Sequence, residues 1–88
     1  MKIQVRWDKE KNEILKKQRG VCFEDVSSAI IDNGLLDIVP HHSSEKYPNQ
    51  KLMIVRIREY VFYVPFIEEE DGIFLKTIIP SRKYNARY

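Results

Sequence analysis

Three short apolar segments in the second half of the chain constrain its fold more than any other feature. They span residues 51–58, 60–67 and 73–79, and each is rich in valine, isoleucine, phenylalanine or tyrosine between polar breaks. Such segments are typical of β-strands. Asp71 and Gly72 lie in the second break, where they can adopt the positive φ angles of a tight antiparallel turn. The pattern predicts an antiparallel meander with one buried face and one face in water.

Alternation assigns the side chains of the first predicted strand to the two faces of this sheet. Met53 and Val55 belong to one face, whereas Arg56 and Arg58 belong to the other. The two arginines are therefore expected on the same side of the sheet, in water. Pro65 in the second strand has no N–H to donate, so we expect a bulge or a strand end there.

The first half of the chain carries the signals of two helices between two strands. The predicted order is a strand over residues 2–7, helices over 9–18 and 23–32, and a strand over 35–39. Asp8 can cap the first helix and Gly20 can end it. With the meander, this order predicts an α+β fold: an N-terminal strand, two helices and then a twisted antiparallel sheet, in one domain over residues 1–88.

Apolar spacing within these elements predicts which side chains face the core. Trp7 ends the first strand on its apolar side, and we expect it in the core. The first helix offers only Ile14 and Leu15 for burial, whereas Phe23 and Val26 begin a regular apolar face on the second helix. The second helix is therefore the more strongly marked of the two.

Composition excludes several classes of protein. No apolar run is long enough to span a bilayer, and the first residues alternate like a strand instead of forming the apolar block of a signal peptide. We therefore expect a cytoplasmic protein that has no membrane partner. The single cysteine, Cys22, excludes an internal disulfide and a thiolate-rich metal site. Glycine-rich phosphate loops and the common hydrolase motifs are absent, so we expect no cofactor.

The cations are unevenly spread along the chain, although the net charge is only +2. Lys16, Lys17 and Arg19 close the first predicted helix, and Arg82 with Lys83 follows the last predicted strand. Clusters of this kind can bind nucleic acid. Lysine-rich helix faces are also ordinary solvated surface, so both interpretations stay open.

Both histidines lie in the one irregular stretch, residues 41–50. His41 and His42 are neighbours, and neighbours on an extended chain point apart, so the pair is a poor metal site. One of them can act in acid–base chemistry, because histidine titrates near neutral pH. The alternative is an exposed histidine that has no role.

Four ordered segments together resemble the BrnT family of bacterial toxins. They are V-R-W-D-K-E-K-N-E near the start, R-G-V-C-F-E-D-V between the helices, H-H-S-S-E in the loop and I-I-P-S-R-K near the end. This resemblance covers nearly the whole chain. It implies a RelE/ParE-like fold and ribonuclease activity. It also implies an antitoxin of the ribbon–helix–helix type as partner, with operator DNA bound only by the toxin–antitoxin complex.

The resemblance extends to individual residues. Those that match the family pattern are Trp7, Asp8, Lys11, Gly20, Val21, Phe23, Glu24, His42 and Arg82. The chain departs from the pattern at Thr77, where many members have an arginine, and at Cys22, where a serine is usual. It also leaves little length after the last strand, so we expect no C-terminal helix.

Metal-free RNA cleavage requires a base for the 2′-hydroxyl proton, cations for the pentacoordinate phosphate and an acid for the leaving 5′-oxygen. In our hypothesis Arg82 and Lys83 hold the phosphate, aided by Arg56 or Arg58, because guanidinium can bind phosphate through two donors. His42 serves as base or acid. Tyr84 and Tyr88 stack on bases or donate a proton. The predicted catalytic residues are His42, Arg58, Arg82, Lys83 and Tyr88, and the predicted RNA-binding residues are Lys16, Lys17, Arg19, Arg56 and Tyr84.

The sequence is compatible with two other functions. The same fold can be a non-catalytic module that binds the antitoxin and takes part in operon repression. Direct DNA binding by this chain alone is the weaker alternative, because no predicted helix carries the base-reading residues of a groove reader. The arginines also have a structural alternative, which is ion pairing with Glu13 or with the Glu68-Glu69-Glu70 run.

Overall fold

A computed structural model describes residues 4–41, 45–46 and 48–87, with only the backbone described at 84, 86 and 87. In chain order the elements are β1 (Gln4–Trp7), α1 (Lys9–Arg19), α2 (Phe23–Ile31), β2 (Leu35–Pro40), β3 (Gln50–Ile57), β4 (Tyr60–Glu69), β5 (Gly72–Leu75), β6 (Ile79–Pro80) and α3 (Arg82–Arg87). The predicted α+β layout is confirmed. Within the described residues, no helix is long and apolar enough to cross a membrane.

Helix α1 begins and ends where its capping residues predict. The Asp8 carboxylate accepts hydrogen bonds from the N–H groups of Glu10 at 2.8 Å and Lys11 at 3.1 Å. Gly20 ends the helix in the left-handed conformation, with a φ of 69°. Both caps satisfy backbone groups that an isolated helix leaves without partners.

The buried face of α1 differs from the predicted one. Leu15 is buried, as expected, but Ile14 is 46% exposed, and Asn12 is buried in its place with 4% exposure. Asn12 accepts a hydrogen bond from the Phe23 N–H at 2.7 Å and donates one to the Glu24 carboxylate at 2.6 Å. The prediction for Ile14 was wrong because the inward face follows residues 12 and 15, which lie one turn apart.

Helix α2 packs on the sheet through the predicted residues. Phe23, Val26 and Ala29 are buried. The Trp7 ring, at the end of β1, stacks on the Phe23 ring with the centroids 5.7 Å apart. The Asp25 carboxylate accepts a hydrogen bond from the Cys22 N–H at 3.1 Å, which fixes the start of the helix.

The sheet has the strand order β1-β5-β4-β3-β2, and β6 pairs with β4. Strands β2 to β6 pair in antiparallel fashion, whereas β1 lies parallel to β5. The sheet is therefore mixed, which the strand patterns did not predict. Gln4 of β1 pairs with Gly72 of β5, so the first and fifth strands of the chain meet at the edge of the sheet.

The third predicted strand of the meander is divided into β5 and β6. Strand β4 runs unbroken through Pro65, which pairs with Leu52 on the β3 side. On its other side the Pro65 carbonyl accepts a hydrogen bond from the Lys76 N–H at 2.8 Å. The N–H and C=O of one strand residue point the same way, so the N–H that Pro65 lacks falls opposite the gap between β5 and β6. The prediction that β4 is interrupted at Pro65 was wrong. The interruption lies in the neighbouring strand, between β5 and β6.

Both faces of the central strands are buried, whereas one was expected in water. Met53, Val55 and Ile57 belong to the main core beneath the helices. Leu52, Ile54 and Val61 form a second, separate core cluster. Helix α3, which was not expected, contacts β4. Arg56 continues the Leu52–Ile54 side of β3 and is exposed.

Candidate functional site

Arg58 lies in the tight turn that joins β3 to β4. Arg58 and Glu59 both have positive φ angles, 51° and 66°, as a two-residue antiparallel turn requires. The Arg58 guanidinium donates to the Gly20 carbonyl at 2.6 Å and reaches the Asp25 carboxylate at 3.4 Å. The prediction that Arg58 continues the alternation of Arg56 was wrong, because a turn residue leaves the pleat of the strand.

The last turn of α1 brings further cations to this end of the sheet. Arg19 donates a hydrogen bond to the carbonyl of Ile78, in the segment between β5 and β6. Lys16 lies 3.5 Å from Glu13, whose charge is the main cause that raises the pKa of Lys16. Lys17 is exposed. Arg19 therefore links α1 to the segment between β5 and β6, whereas Lys16 pairs with a residue of its own helix.

The junction between β6 and α3 lies beside the start of β4. The Ser81 N–H donates to the Val61 carbonyl at 3.2 Å, and the Val61 N–H donates to the Asn85 side chain at 3.1 Å. These bonds fix the first turn of α3 against β4. Arg82 and Lys83 follow Ser81 directly, and both are exposed.

Strand register relates Arg56 to this junction. Arg56 pairs with Val61 across β3 and β4, and Val61 in turn accepts the hydrogen bond from Ser81. Arg56 and Ser81 are thus two strand spacings apart, which amounts to about 10 Å. We call the surface formed by Arg19, Arg56, Arg58, Arg82 and Lys83 the basic end.

The basic end contains five of the ten predicted site residues. Tyr84 lies within α3, next to Lys83. His42 and Tyr88 lie outside the described residues. Arg56 and Arg58 both line a depression of about 250 Å³, together with Asp25, Ser28 and Asp32. The arrangement can bind an anion through exposed guanidinium groups, and Asp25 offsets part of that charge.

Sequence reasoning missed Asp25 and Asn85, which hold the basic end together. Asp25 binds Arg58, and Asn85 binds the backbone of Val61. The only sequence signal for Asp25 is its place in the first turn of α2, where an acidic residue suits the helix dipole equally well. Nothing in the sequence pairs Asn85 with Val61, because the partners are 24 residues apart.

Neither a metal site nor an activated thiol is found in the part of the chain that the structure describes. No group of three or more histidine, cysteine, aspartate or glutamate residues there can hold a metal ion. Burial is the largest cause that raises the pKa of the Cys22 thiol. The thiolate form needed for nucleophilic chemistry is therefore disfavoured at Cys22.

The Glu24 carboxylate predicts how stability depends on pH. The hydrogen bond from Asn12 is the largest cause that holds the pKa of Glu24 below its ordinary value of 4.5. A lowered pKa in the folded state means that this stabilisation is present above the unfolded pKa and disappears as the pH falls through the folded one. We expect Glu24→Gln to remove this part of the loss of stability on acidification, measured by urea unfolding between neutral pH and about pH 3. If the free energy of unfolding of the two proteins falls equally as the pH is lowered, Glu24 does not have this role.

A second surface, apolar in character, lies on the helix side of the sheet. Its floor is formed by Val5, Met53, Phe66 and Ile73, and the end of α2 forms one wall through Ile30 and Ile31. Leu35 and Ile38 of β2 close the opposite side. The volume is about 290 Å³. We call it the apolar groove.

Comparison of the chain with models of protein families, with curated proteins and with solved structures gives no match. The resemblance to the BrnT family therefore stays a prediction from the quoted segments.

Proposed function

We propose that this protein is the toxin of a type II toxin–antitoxin pair and acts in the cytoplasm as a metal-independent endoribonuclease on single-stranded RNA. Its partner would be a ribbon–helix–helix antitoxin. The observation that carries the proposal is the basic end, where Arg82 and Lys83 stand exposed at the start of α3, with Arg56 two strand spacings from Ser81. Exposed cations at one end of the sheet suit a phosphate of the RNA backbone.

The reaction assigned to this site is attack of a ribose 2′-oxygen on the adjacent phosphorus. A base removes the 2′-hydroxyl proton, the bond from phosphorus to the 5′-oxygen breaks, and an acid protonates that oxygen. The Arg82 guanidinium would bind two phosphate oxygens, and Lys83 would add a point charge. His42 remains the proposed base or acid, and Tyr88 the proposed second proton donor.

A specific observation also favours the second candidate, a non-catalytic module that binds the antitoxin and takes part in operon repression. Arg58 is bound to Gly20 and Asp25, and Arg19 is bound to the Ile78 carbonyl. Both arginines therefore connect parts of the fold to each other. A phosphate would have to compete with these internal partners for Arg58.

Cleavage of RNA by purified protein tests the proposal. The chain would be incubated with labelled single-stranded RNA in the presence of a chelator, beside the double variant Arg82→Ala/Lys83→Ala. We expect the double variant to cleave about 100-fold more slowly or worse, because it loses the cations that stabilise the transition state. Both proteins would first be compared by circular dichroism, so that a loss of folding is recognised.

A matched control removes the same charge elsewhere. Lys9→Ala/Lys11→Ala changes two cations at the opposite end of α1 and should cleave RNA at the wild-type rate. Equal losses in both double variants would mean that overall charge matters and the basic end does not. If no protein cleaves RNA but the wild type binds the product of the neighbouring reading frame, the non-catalytic module is favoured.

A further inference from the structure

The depression that Arg56 and Arg58 line carries charges of both signs. Its polar lining consists of these two arginines with Asp25, Ser28 and Asp32. The volume of about 250 Å³ lies below the roughly 300–1,000 Å³ of pockets that enclose drug-sized ligands, so it suits a smaller group. We call this surface the mixed-charge depression.

Helix α2 supplies the acidic wall of the mixed-charge depression. Asp25 and Ser28 lie three residues apart, and Asp32 follows the end of the helix four residues later, so the three share one face. Seven residues at about 1.5 Å each separate Asp25 from Asp32 by about 10 Å. Asp25 holds the Arg58 guanidinium at one end of this wall, whereas Asp32 lies at the other end.

The two ends of the wall differ in the hydrogen-bonding groups that they offer. Arg58 donates to the Gly20 carbonyl through Nη1 and reaches Asp25 through Nη2. A guanidinium has five N–H donors, so Arg58 keeps donors for a further acceptor. The Asp32 carboxylate only accepts, and within the described part of the chain it makes no hydrogen bond or ion pair. One end therefore offers donors and the other offers acceptors.

The position of Asp32 makes an incoming donor favourable. Asp32 is the C-cap residue of α2, and the last turn of the helix contains no basic residue. A helix C-terminus carries partial negative charge, so a carboxylate there is stabilised by a donor that comes from outside the helix. A ligand with N–H groups would supply that donor.

A phosphate does not suit the mixed-charge depression, because it would meet two carboxylates. The ligand that fits is a neutral group with donors on one edge and acceptors on another. Guanine is such a group, since its N1–H and N2–H₂ are donors and its O6 and N7 are acceptors. A purine between two hydrogen bonds of about 2.9 Å matches the length of the wall, which a pyrimidine would not span. Proteins read the unstacked bases of single-stranded RNA through these edges.

The mixed-charge depression lies close to the proposed phosphate site. Arg56 lines the depression and is two strand spacings, about 10 Å, from Ser81. Arg82 follows Ser81 at the start of α3. A few nucleotides of single strand can therefore occupy both sites together.

We propose that the mixed-charge depression binds one guanine base of a single-stranded RNA. The Asp32 carboxylate accepts hydrogen bonds from N1–H and N2–H₂, and the Arg58 guanidinium donates on the N7 side of the base. This inference rests on the proposed function, because it names the base that the nuclease would select. Asp32 is then a specificity-determining residue and takes no part in bond breaking.

The probes are pentanucleotides of 2′-O-methyluridine that carry guanine, hypoxanthine or adenine at the central position. They cannot be cleaved, because the attacking 2′-hydroxyl is methylated, so binding is measured without any reaction. We expect calorimetry to show the guanine ligand bound at least about tenfold more tightly than the adenine ligand, whose N1 is an acceptor that would face the Asp32 carboxylate. Hypoxanthine lacks only the N2 amine of guanine and should give an intermediate affinity.

Asp32→Asn should abolish this preference, because an amide can turn to pair with either base whereas a carboxylate pairs only with donors. The affinities for the guanine and adenine ligands should then differ by less than about twofold. Glu70→Gln is the matched control, because it changes an exposed acid to an amide in the turn between β4 and β5, outside the depression. It should keep the wild-type preference. Circular dichroism would establish that both variants are folded.

Three results would overturn the proposal. The first is equal affinity of the wild type for the guanine and adenine ligands, or failure to bind either. The second is a preference for guanine that persists in Asp32→Asn, which would place the recognition of the base elsewhere. The third is an equal loss of preference in Asp32→Asn and Glu70→Gln, which would mean that overall charge determines it.

The nuclease and the guanine site can fail separately. If no protein cleaves RNA but the wild type prefers guanine through Asp32, only the nuclease is removed. If Arg82→Ala/Lys83→Ala stops cleavage but the wild type binds all three ligands alike, only the guanine site is removed.

Discussion

Gly72→Ala should destabilise the protein by about 3 kcal/mol, the largest effect we expect from a single added methyl group. A Cβ atom at Gly72 would lie 1.9 Å from the carbonyl oxygen of Gln4 and 2.7 Å from the Gln4 nitrogen. These are backbone atoms of the paired strand, so they cannot move aside as the end of a side chain could. Strand β1 would have to separate from β5. Urea unfolding followed by tryptophan fluorescence measures the loss, because Trp7 lies on β1.

Gly20→Ala separates crowding from backbone strain. Gly20 has a φ of 69°, and nothing lies within 4 Å of an added Cβ. Alanine there should cost only about 1 kcal/mol, the strain of a left-handed residue. If Gly72→Ala lowers the free energy of unfolding no more than Gly20→Ala does, the close approach of β1 and β5 is not a constraint on the fold.

Asn12→Ala should destabilise the protein by about 2 kcal/mol or more. The substitution removes the acceptor of the buried Phe23 N–H and the donor to Glu24 together. A buried N–H without a partner carries the full penalty of its lost hydration. The consequence is local to the contact between α1 and the start of α2. Chemical unfolding and hydrogen exchange at the Phe23 amide would both report it.

Glu13→Ala is the comparison for Asn12, since it changes the adjacent residue on the exposed side of the same helix. Its pair with Lys16 is in solvent on both sides, and such pairs contribute little to stability. The expected change is within about 0.5 kcal/mol. A similar loss in both variants would indicate that α1 is sensitive to any substitution and that the buried amide has no special part.

Local signals predicted the elements whose causes are local. Asp8 and Gly20 bound α1 because capping depends on residues within one turn, and the apolar spacing of α2 reflects its own contact with the sheet. The strands β3 and β4 were recognised from their β-branched and aromatic residues. In each case the physical reason lies within a few residues of the feature.

The wrong predictions concern features whose causes lie in distant parts of the sequence. Ile14 was placed inside because an apolar residue is the usual choice, whereas Asn12 is inside because Phe23 and Glu24 supply its partners. The predicted third strand was one piece because its own residues suit a strand throughout. Its interruption arises from Pro65 on the neighbouring strand. Such effects depend on register, which the sequence of one segment does not contain.

The candidate site was predictable in part for the same reason. The segment of Arg82 and Lys83 was identified from its place after the last strand, and the structure puts it beside the start of β4. The distance between Arg56 and this segment could not be predicted, because it depends on the order of the strands in the sheet. The contacts of Arg58 could not be predicted, because Arg58 lies in a turn and the alternation of strand side chains does not apply there.

Ser81 and Asn85 cover the start of β4, and this affects how the protein behaves at high concentration. Strand β4 begins with the run Y-V-F-Y-V, which combines high β-propensity with an absence of charge and proline and would readily aggregate as a free edge. Ser81 and Asn85 occupy the N–H and C=O of Val61 on the side that β6 leaves open. Pro65, further along the same side, offers no N–H to another molecule. Ser81 and Asn85, which flank Arg82 and Lys83 in the sequence, thus also hinder the start of β4 from pairing with another molecule.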